Sequence, residues 1–165
     1  MNARAAWRLE HLGFPTVYRY APGKADWLAA GLPTEGRRAN TPRAANVARR
    51  DVPTCSPDEH VAEAAQRARR AGWDTCMVVN DERVVLGRLR DAALDTTDER
   101  PVDEVMEEGP TTTRADDDLG ALVARMGRRS VRAIVVTDPD GRLIGVLRFD
   151  DAQRAVAGAN EQHAE

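Results

Sequence analysis

Lysine is nearly absent from this chain of 165 residues: Lys24 is the single lysine, and the other 23 of its 24 basic residues are arginine. That reads as the codon bias of a GC-rich genome rather than as guanidinium chemistry. No apolar run approaches the ~18–20 residues that span a bilayer. The N-terminus alternates apolar and charged residues, so no signal peptide is expected either. Only two cysteines occur, Cys55 and Cys76. Their spacing excludes a disulfide framework and a C-x-x-C metal or redox motif. They read as small core fillers, which fits a reducing, cytoplasmic setting. His11, His60 and His163 are scattered, with no metal-ligand spacing. No nucleophile elbow, P-loop or G-x-G-x-x-G is present. No catalytic constellation stands out, so an enzyme is not expected. Aromatic residues make up only 4%, which leaves a core to be built from Val, Leu, Ile and Ala.

Charge is nearly balanced, at net −3. This speaks against nucleic-acid binding through bulk charge. The charge is unevenly spread, however. Residues 1–50 carry nine basic and three acidic residues, whereas 51–165 carry 15 and 24. Such a break marks a join between unlike segments. Residues 37–50 (RRANTPRAANVARR) read as a basic linker lying against its own acidic domain. A nucleic-acid arm would be expected to interleave aromatics among the charges, and none is found there.

Residues 51–157 contain a repeat, the feature to seek before individual elements. Val61 matches Leu119, Val78-Val79 match Val135-Val136, and Leu86-Gly87 match Ile144-Gly145, an offset of 57 or 58. Each copy begins with a short extended piece, Pro53–Cys55 or Pro110–Thr113. In the first copy Ser56-Pro57-Asp58-Glu59 has capping-box spacing, although His60 could equally precede the first turn. In the second, Asp116-Asp117-Asp118 favours a helix N-terminus. An amphipathic helix follows, with Val61, Ala64, Ala65 and Ala68, or Leu119, Leu122, Val123 and Met126, on one face. A buried strand comes next (Cys76–Val79; Ala133–Val136), then a polar turn and a returning strand (Val84–Leu89; Leu143–Leu147). A last helix starts near Asp91 or Asp150. The expected fold class is α+β: two β-α-β-β-α repeats packed as a pair, at 51–100 and 101–157, with residues 158–165 as a disordered tail.

This order resembles a tandem of cystathionine-β-synthase (CBS) domains. The residues that carry the likeness are Thr54-Cys55-Ser56-Pro57-Asp58, Val61-Ala62-Glu63-Ala64, Val78-Val79 and Val85-Leu86-Gly87 in the first copy. In the second they are Val135-Val136-Thr137-Asp138, Asp140-Gly141-Arg142-Leu143-Ile144-Gly145-Val146 and Asp151. Residues 102–106 (Val-Asp-Glu-Val-Met) resemble the short helical lead-in of such a domain. The resemblance implies a regulatory module that binds an adenosine-containing ligand (AMP, ADP, ATP or S-adenosylmethionine) in a cleft between repeats. It also implies a homodimer.

The family's ligand motif runs glycine, two apolar residues, Ser/Thr, two variable residues, Asp. Here the second copy reads Gly145-Val146-Leu147-Arg148-Phe149-Asp150-Asp151. By this likeness Asp151 is the ribose acceptor, and Arg148, a forked cation, replaces the hydroxyl that meets phosphate. Ser130, Val131 and Arg132 stand at the base-contact positions. The first copy has Ala93 where the Asp should be, so its site, with Trp73, Asp74, Thr75 and Arg90, is expected to be degraded. The plainer reading makes Asp151 a helix N-terminal carboxylate and the arginines solvated.

Residues 1–36 resemble the C-terminal end of a rhodanese domain: a helix closed by Gly13, a strand Val17–Tyr20, and the short Gly23–Pro33 helix with its Trp27 and Ala-Gly-Leu-Pro tail. In that family the catalytic cysteine precedes the helix matched by Ala3–Leu12. No cysteine stands there in this chain, so residues 1–36 are read as a fragment. Two explanations are open: a natural remnant, or Met1 as an internal methionine of a longer protein. The alternatives to a ligand sensor are thus a sulfurtransferase lacking its catalytic half, and a structural dimerisation module without ligand.

Overall fold

The computed structural model describes residues 3–18, 20–36, 41–94 and 98–162. Helices α1 (Ala3–His11) and α2 (Lys24–Ala29) come first, then a one-turn helix α3 (Ala44–Val47). The first repeat holds β1 (Thr54–Cys55), α4 (Val61–Arg70), β2 (Thr75–Val79) and β3 (Val85–Arg90), with β4 (Glu107–Glu108) beyond it. The second holds β5 (Thr112–Arg114), α5 (Leu119–Arg128), β6 (Ala133–Thr137), β7 (Leu143–Arg148) and α6 (Phe149–Gln162). The sheets run β1-β2-β3-β4 and β5-β6-β7, each opening with a parallel pair and closing through an antiparallel hairpin.

The two repeats superpose at a single offset of 58. Thr54 pairs with Met77 as Thr112 pairs with Val135, and Cys76 faces Leu89 as Ile134 faces Leu147. Even the strand irregularities repeat, at Val78/Val79 and Val136/Thr137. Met77 and Val78, rather than Val78-Val79, are therefore the counterparts of Val135-Val136. The two halves meet about a pseudo-two-fold axis at the bridge between Val84 and Arg142, which are themselves equivalent positions. On either side of it Val85 N–H donates to the Gly141 carbonyl (3.1 Å) and Leu143 N–H to the Arg83 carbonyl (2.9 Å).

The segments that precede each repeat are exchanged. Residues 102–106 serve the first repeat: Val102 is fully buried and Met106 packs beside it, among Cys55, Val61, Ala64, Ala68, Val78 and Leu89. β4 then pairs with β3. The arm at 43–50 serves the second repeat instead. Ala44, Ala45 and Ala48 sit in the cluster of Leu119, Leu122, Met126, Ile134, Val136 and Leu147. Ala44 and Ala45 N–H donate to the carbonyls of Asp117 and Ala115 (3.0 and 3.1 Å), and Arg49 exchanges two 2.9 Å backbone hydrogen bonds with Val146. The expected basic linker at 37–50 therefore packs, over Arg43–Arg50, into the second repeat's core as part of the domain, while Arg37–Asn40 lies outside the described residues. A third cluster, with Val52, Trp73, Met77, Val79, Val135, Leu143 and Val146, joins the sheets. Each fully buried side chain of this size contributes about 1.5–3 kcal/mol.

Other expectations need correction. Of the expected strand Val17–Tyr20, the described residues Val17, Tyr18 and Tyr20 are not in a strand, Tyr18 is 91% exposed, and Arg19 lies outside the described residues. Asp91–Leu94 forms a 3-10 turn, entered with Asp91 in the left-handed region at φ 50°, where the second repeat launches the long α6; residues 95–97 lie outside the described residues. That helix runs through Gln162, so residues 158–162 are helical instead of tail; 163–165, including His163, lie outside the described residues. Of the two starts left open for α4, His60 is the N-cap residue, and its Nδ1 meets the Glu99 carbonyl at 2.5 Å.

Both cysteines belong to the first core, at 4% and 0% exposure. The adjacent Cys76 thiol and burial push Cys55 far up from the usual thiol range. Neither is expected to react with a maleimide in the folded protein, and both should label fully in denaturant. Mass spectrometry with and without guanidinium checks this; rapid native labelling of either would contradict the packing.

Candidate functional site

Strand alternation prepares a cleft between the two sheets. On β3, Gly87 and Leu89 face the core, which sends Arg88 and Arg90 to the other face. On β7, Arg148 likewise projects beside Leu147, which is buried. Each repeat's helix-to-strand turn uses a left-handed residue, Gly72 (φ 68°) or Ser130 (φ 54°). This reversal brings Trp73-Asp74 and Val131-Arg132 to the rim. A side chain at such a φ costs on the order of 1–2 kcal/mol, which Gly72 avoids.

The resulting cleft is about 520 Å³. Ser130, Val131, Arg132 and Arg148 of the second repeat line it, and so do Asp74, Thr75 and Arg90 of the first. The residues expected to form two separate sites therefore share one cavity. Asp151 does not line it. Arg154, one turn further along α6, holds that carboxylate in an ion pair. Asp150 lines the cleft instead.

Trp73 organises one wall. It is 5% exposed, and the guanidinium carbons of Arg148 and Arg49 each lie 4.6 Å from its ring centroid. Cation–π contacts of this kind contribute about 0.5–2 kcal/mol. Arg148 also reaches Asp74 across the cleft at 3.7 Å, but Asp74 is largely solvent-exposed, so that pair adds little. Arg49 donates to Asp51 at 3.1 and 2.5 Å. Buried Trp73 Nε1 makes no full hydrogen bond among the described residues. Asp51 still feels it weakly: the Arg49 hydrogen bonds mainly, and the indole in a minor way, hold the Asp51 carboxyl below its ordinary range.

At the other end Glu107 of β4 clamps Arg88 (3.0 and 3.1 Å) and Arg90 (2.7 and 3.5 Å). The Arg88 hydrogen bond is the main reason the Glu107 carboxyl falls below its ordinary 4.5. The clamp's contribution is thus complete above pH 4.5 and is lost as pH falls through the lower folded value. Arg132 is exposed and has no side-chain partner among the described residues. Among those residues no group of His, Cys, Asp or Glu could hold a metal ion, and no helix is long and apolar enough to cross a membrane.

The sequence pattern of the CBS domain matches residues 44–94 and 102–158. The chain belongs to the CBS domain family. Its CBS pair is similar to an uncharacterized protein of Methanopyrus kandleri, 29% identical over 64% of this chain and 58% of that one. It is also similar to the choline transport ATP-binding protein OpuBA of Bacillus subtilis, 33% identical over 57% of this chain and 25% of that one. The chain thus spans well under two thirds of either relative. Among solved structures, CBSX2 in complex with AMP superposes with a TM-score of 0.62 at 20% identity, covering 72% of this chain and 98% of that one. The cytosolic domain of the Mg2+ channel MgtE in complex with ATP gives 0.61 at 24%, covering 68% and 48%. These likenesses establish the fold, and the two CBS repeats form a regulatory module.

Arg88, Asp150 and the Arg49 contact to Trp73 were not anticipated as parts of the site. Arg88 could have been found from Gly87-Arg88-Leu89-Arg90, where alternation puts two arginines on one strand face. Nothing local signals the contact of Arg49 to Trp73, because that ring and the docking partner Val146 lie far along the chain.

Proposed function

We propose that this CBS pair is a cytoplasmic, ligand-sensing module that binds an adenosine-containing ligand, such as AMP, ADP, ATP or S-adenosylmethionine, in the cleft between its repeats. One observation carries the reading: the apolar residues Val131, Ala133 and Val135 line the same cavity as arginines from both repeats. These apolar residues suit a base, and the forked cations Arg148 and Arg132 suit phosphate. Structures of relatives bound to AMP and to ATP support it. Asp150 is the carboxylate proposed for ribose, because Asp151 is engaged by Arg154.

Calorimetry with AMP, ADP, ATP, NAD and S-adenosylmethionine tests this. Binding of at least one is expected, and silence from all at millimolar concentration would leave only a structural role. Arg148→Ala should weaken a phosphate-bearing ligand about tenfold, matching the loss of one charge-assisted contact. Asp150→Ala should cost more affinity than Asp151→Ala; the reverse order would return the ribose role to Asp151. The homodimer is read by light scattering on purified protein.

A second reading, a sulfurtransferase tail regulated by the CBS pair, has one observation in its favour. Trp7, Leu12, Phe14 and Tyr18 in the N-terminal segment are exposed by 54–91%, an apolar surface that the CBS pair does not cover. Thiosulfate sulfurtransferase activity of this chain is expected to be absent. Turnover that depends on Cys55 or Cys76 would reverse that expectation.

A further inference from the structure

We infer that the wall of the cleft and the arm at residues 43–50 order as one unit, so that occupancy of the cleft controls the mobility of the arm. The occupancy half of this inference rests on the proposed nucleotide site; the coupling half stands on contacts alone.

Two residues belong to both structures. Val146 lines the cleft, and its backbone is the docking partner of Arg49 through both 2.9 Å hydrogen bonds. Trp73 also lines the cleft, and its indole carries the Arg49 guanidinium and the cleft guanidinium of Arg148, each at 4.6 Å. Arg49 itself does not line the cavity. It touches the far side of a wall whose near side would touch the ligand. The charged groups around it are Asp51, which it binds, and Asp151, whose field it feels.

A ligand held between Val131, Ala133 and Arg148 restricts Trp73 and Val146, which line the same cavity. Ordering a wall residue lowers the cost of ordering what packs behind it, which is positive coupling without a large displacement. Coupling is reciprocal. A change at Arg49 must therefore alter ligand affinity, although no ligand atom would reach it. Ala29 of α2 sits in the same buried cluster as Ala44, Ala45 and Ala48, so a change in the arm's mobility is passed to that helix.

Hydrogen exchange read by mass spectrometry tests both halves. Without any ligand, Trp73→Phe is expected to speed exchange at Ala48 and Arg49 at least fivefold more than at the amides of β2, which report only the variant's loss of overall stability. Equal slowing or speeding everywhere, or no change in the arm, would overturn the coupling. With saturating ATP or AMP, the arm amides of the wild type should be protected at least fivefold. Arg49→Ala should weaken that nucleotide about fivefold and abolish the arm protection, and Arg49→Lys should restore part of both. Nucleotide binding that protects β6 and leaves the arm unaltered would overturn the inference while sparing the proposed function. If neither nucleotide binds, the proposed function and the occupancy claim fall together, and the Trp73→Phe result still decides the coupling.

Discussion

Gly145→Ala is expected to destabilise the protein by about 3 kcal/mol or more, at the upper end of the cost of overpacking. A Cβ at Gly145 would overlap the carbonyl oxygen of Arg49 and lie 2.9 Å from its carbonyl carbon and 3.4 Å from Ala48 Cβ. The obstacle is backbone, and that backbone is fixed by the paired hydrogen bonds to Val146. The arm must lift away, exposing Ala44, Ala45 and Ala48 and uncovering the second core. Conformation is not the reason, since Gly145 is not among the glycines with positive φ. At such a position alanine would ordinarily stabilise by about 0.4–1 kcal/mol through the unfolded chain. The equivalent change at Gly87 offers the control. There the nearest atom is the Met106 thioether sulfur, at 2.6 Å, with the Glu107 carbonyl oxygen at 3.0 Å. A methionine end can swing aside more readily than a backbone. Urea midpoints should therefore fall further for Gly145→Ala than for Gly87→Ala. The opposite order would show that the crossing arm is not what requires glycine.

Trp73→Ala should cost about 3–5 kcal/mol, the range for deleting a large buried aromatic ring. Trp73 fills the joint between the sheets, against Val52, Met77, Val135 and Val146. Its loss leaves a void there and removes the surface on which Arg49 and Arg148 rest. Few other side chains could compensate, because Phe149 is the one remaining aromatic residue in 51–165. Trp73→Phe is the milder companion: it keeps an aromatic face and deletes an N–H that makes no full hydrogen bond among the described residues. We expect it to cost about 1 kcal/mol. Circular dichroism during urea unfolding reads both. A Trp73→Ala loss below about 1 kcal/mol would mean that the repeats do not depend on this joint.

Much of this architecture was legible in sequence, for physical reasons. Val61, Ala64, Ala65 and Ala68 recur at helical spacing because they bury one face of α4. The runs Cys76–Val79 and Ala133–Val136 are continuous because β2 and β6 are covered on both faces. The same continuity made their register ambiguous. A run of valines fits its copy at either 57 or 58, and strand pairing is what selects 58. The destination of each lead-in was hidden for another reason. Val102 and Ala44 look alike locally, yet each packs against residues that its neighbours in sequence do not reveal. Likewise, adjacent Asp150 and Asp151 are one chemical type; the first turn of α6 and the placement of Arg154 separate their roles.

The exchanged lead-ins also bear on how such a chain could have arisen and how it could be divided. A lone repeat is not a finished folding unit, because its socket is shaped for an arm that enters from its sibling. Two identical ancestral copies could fill each other's sockets as separate chains, and gene fusion would then only have tied together an existing mutual embrace. Cutting this chain near residue 100 would recreate that state. The halves 41–100 and 101–162, mixed in equal amounts, are expected to reassemble with each half carrying the other's arm.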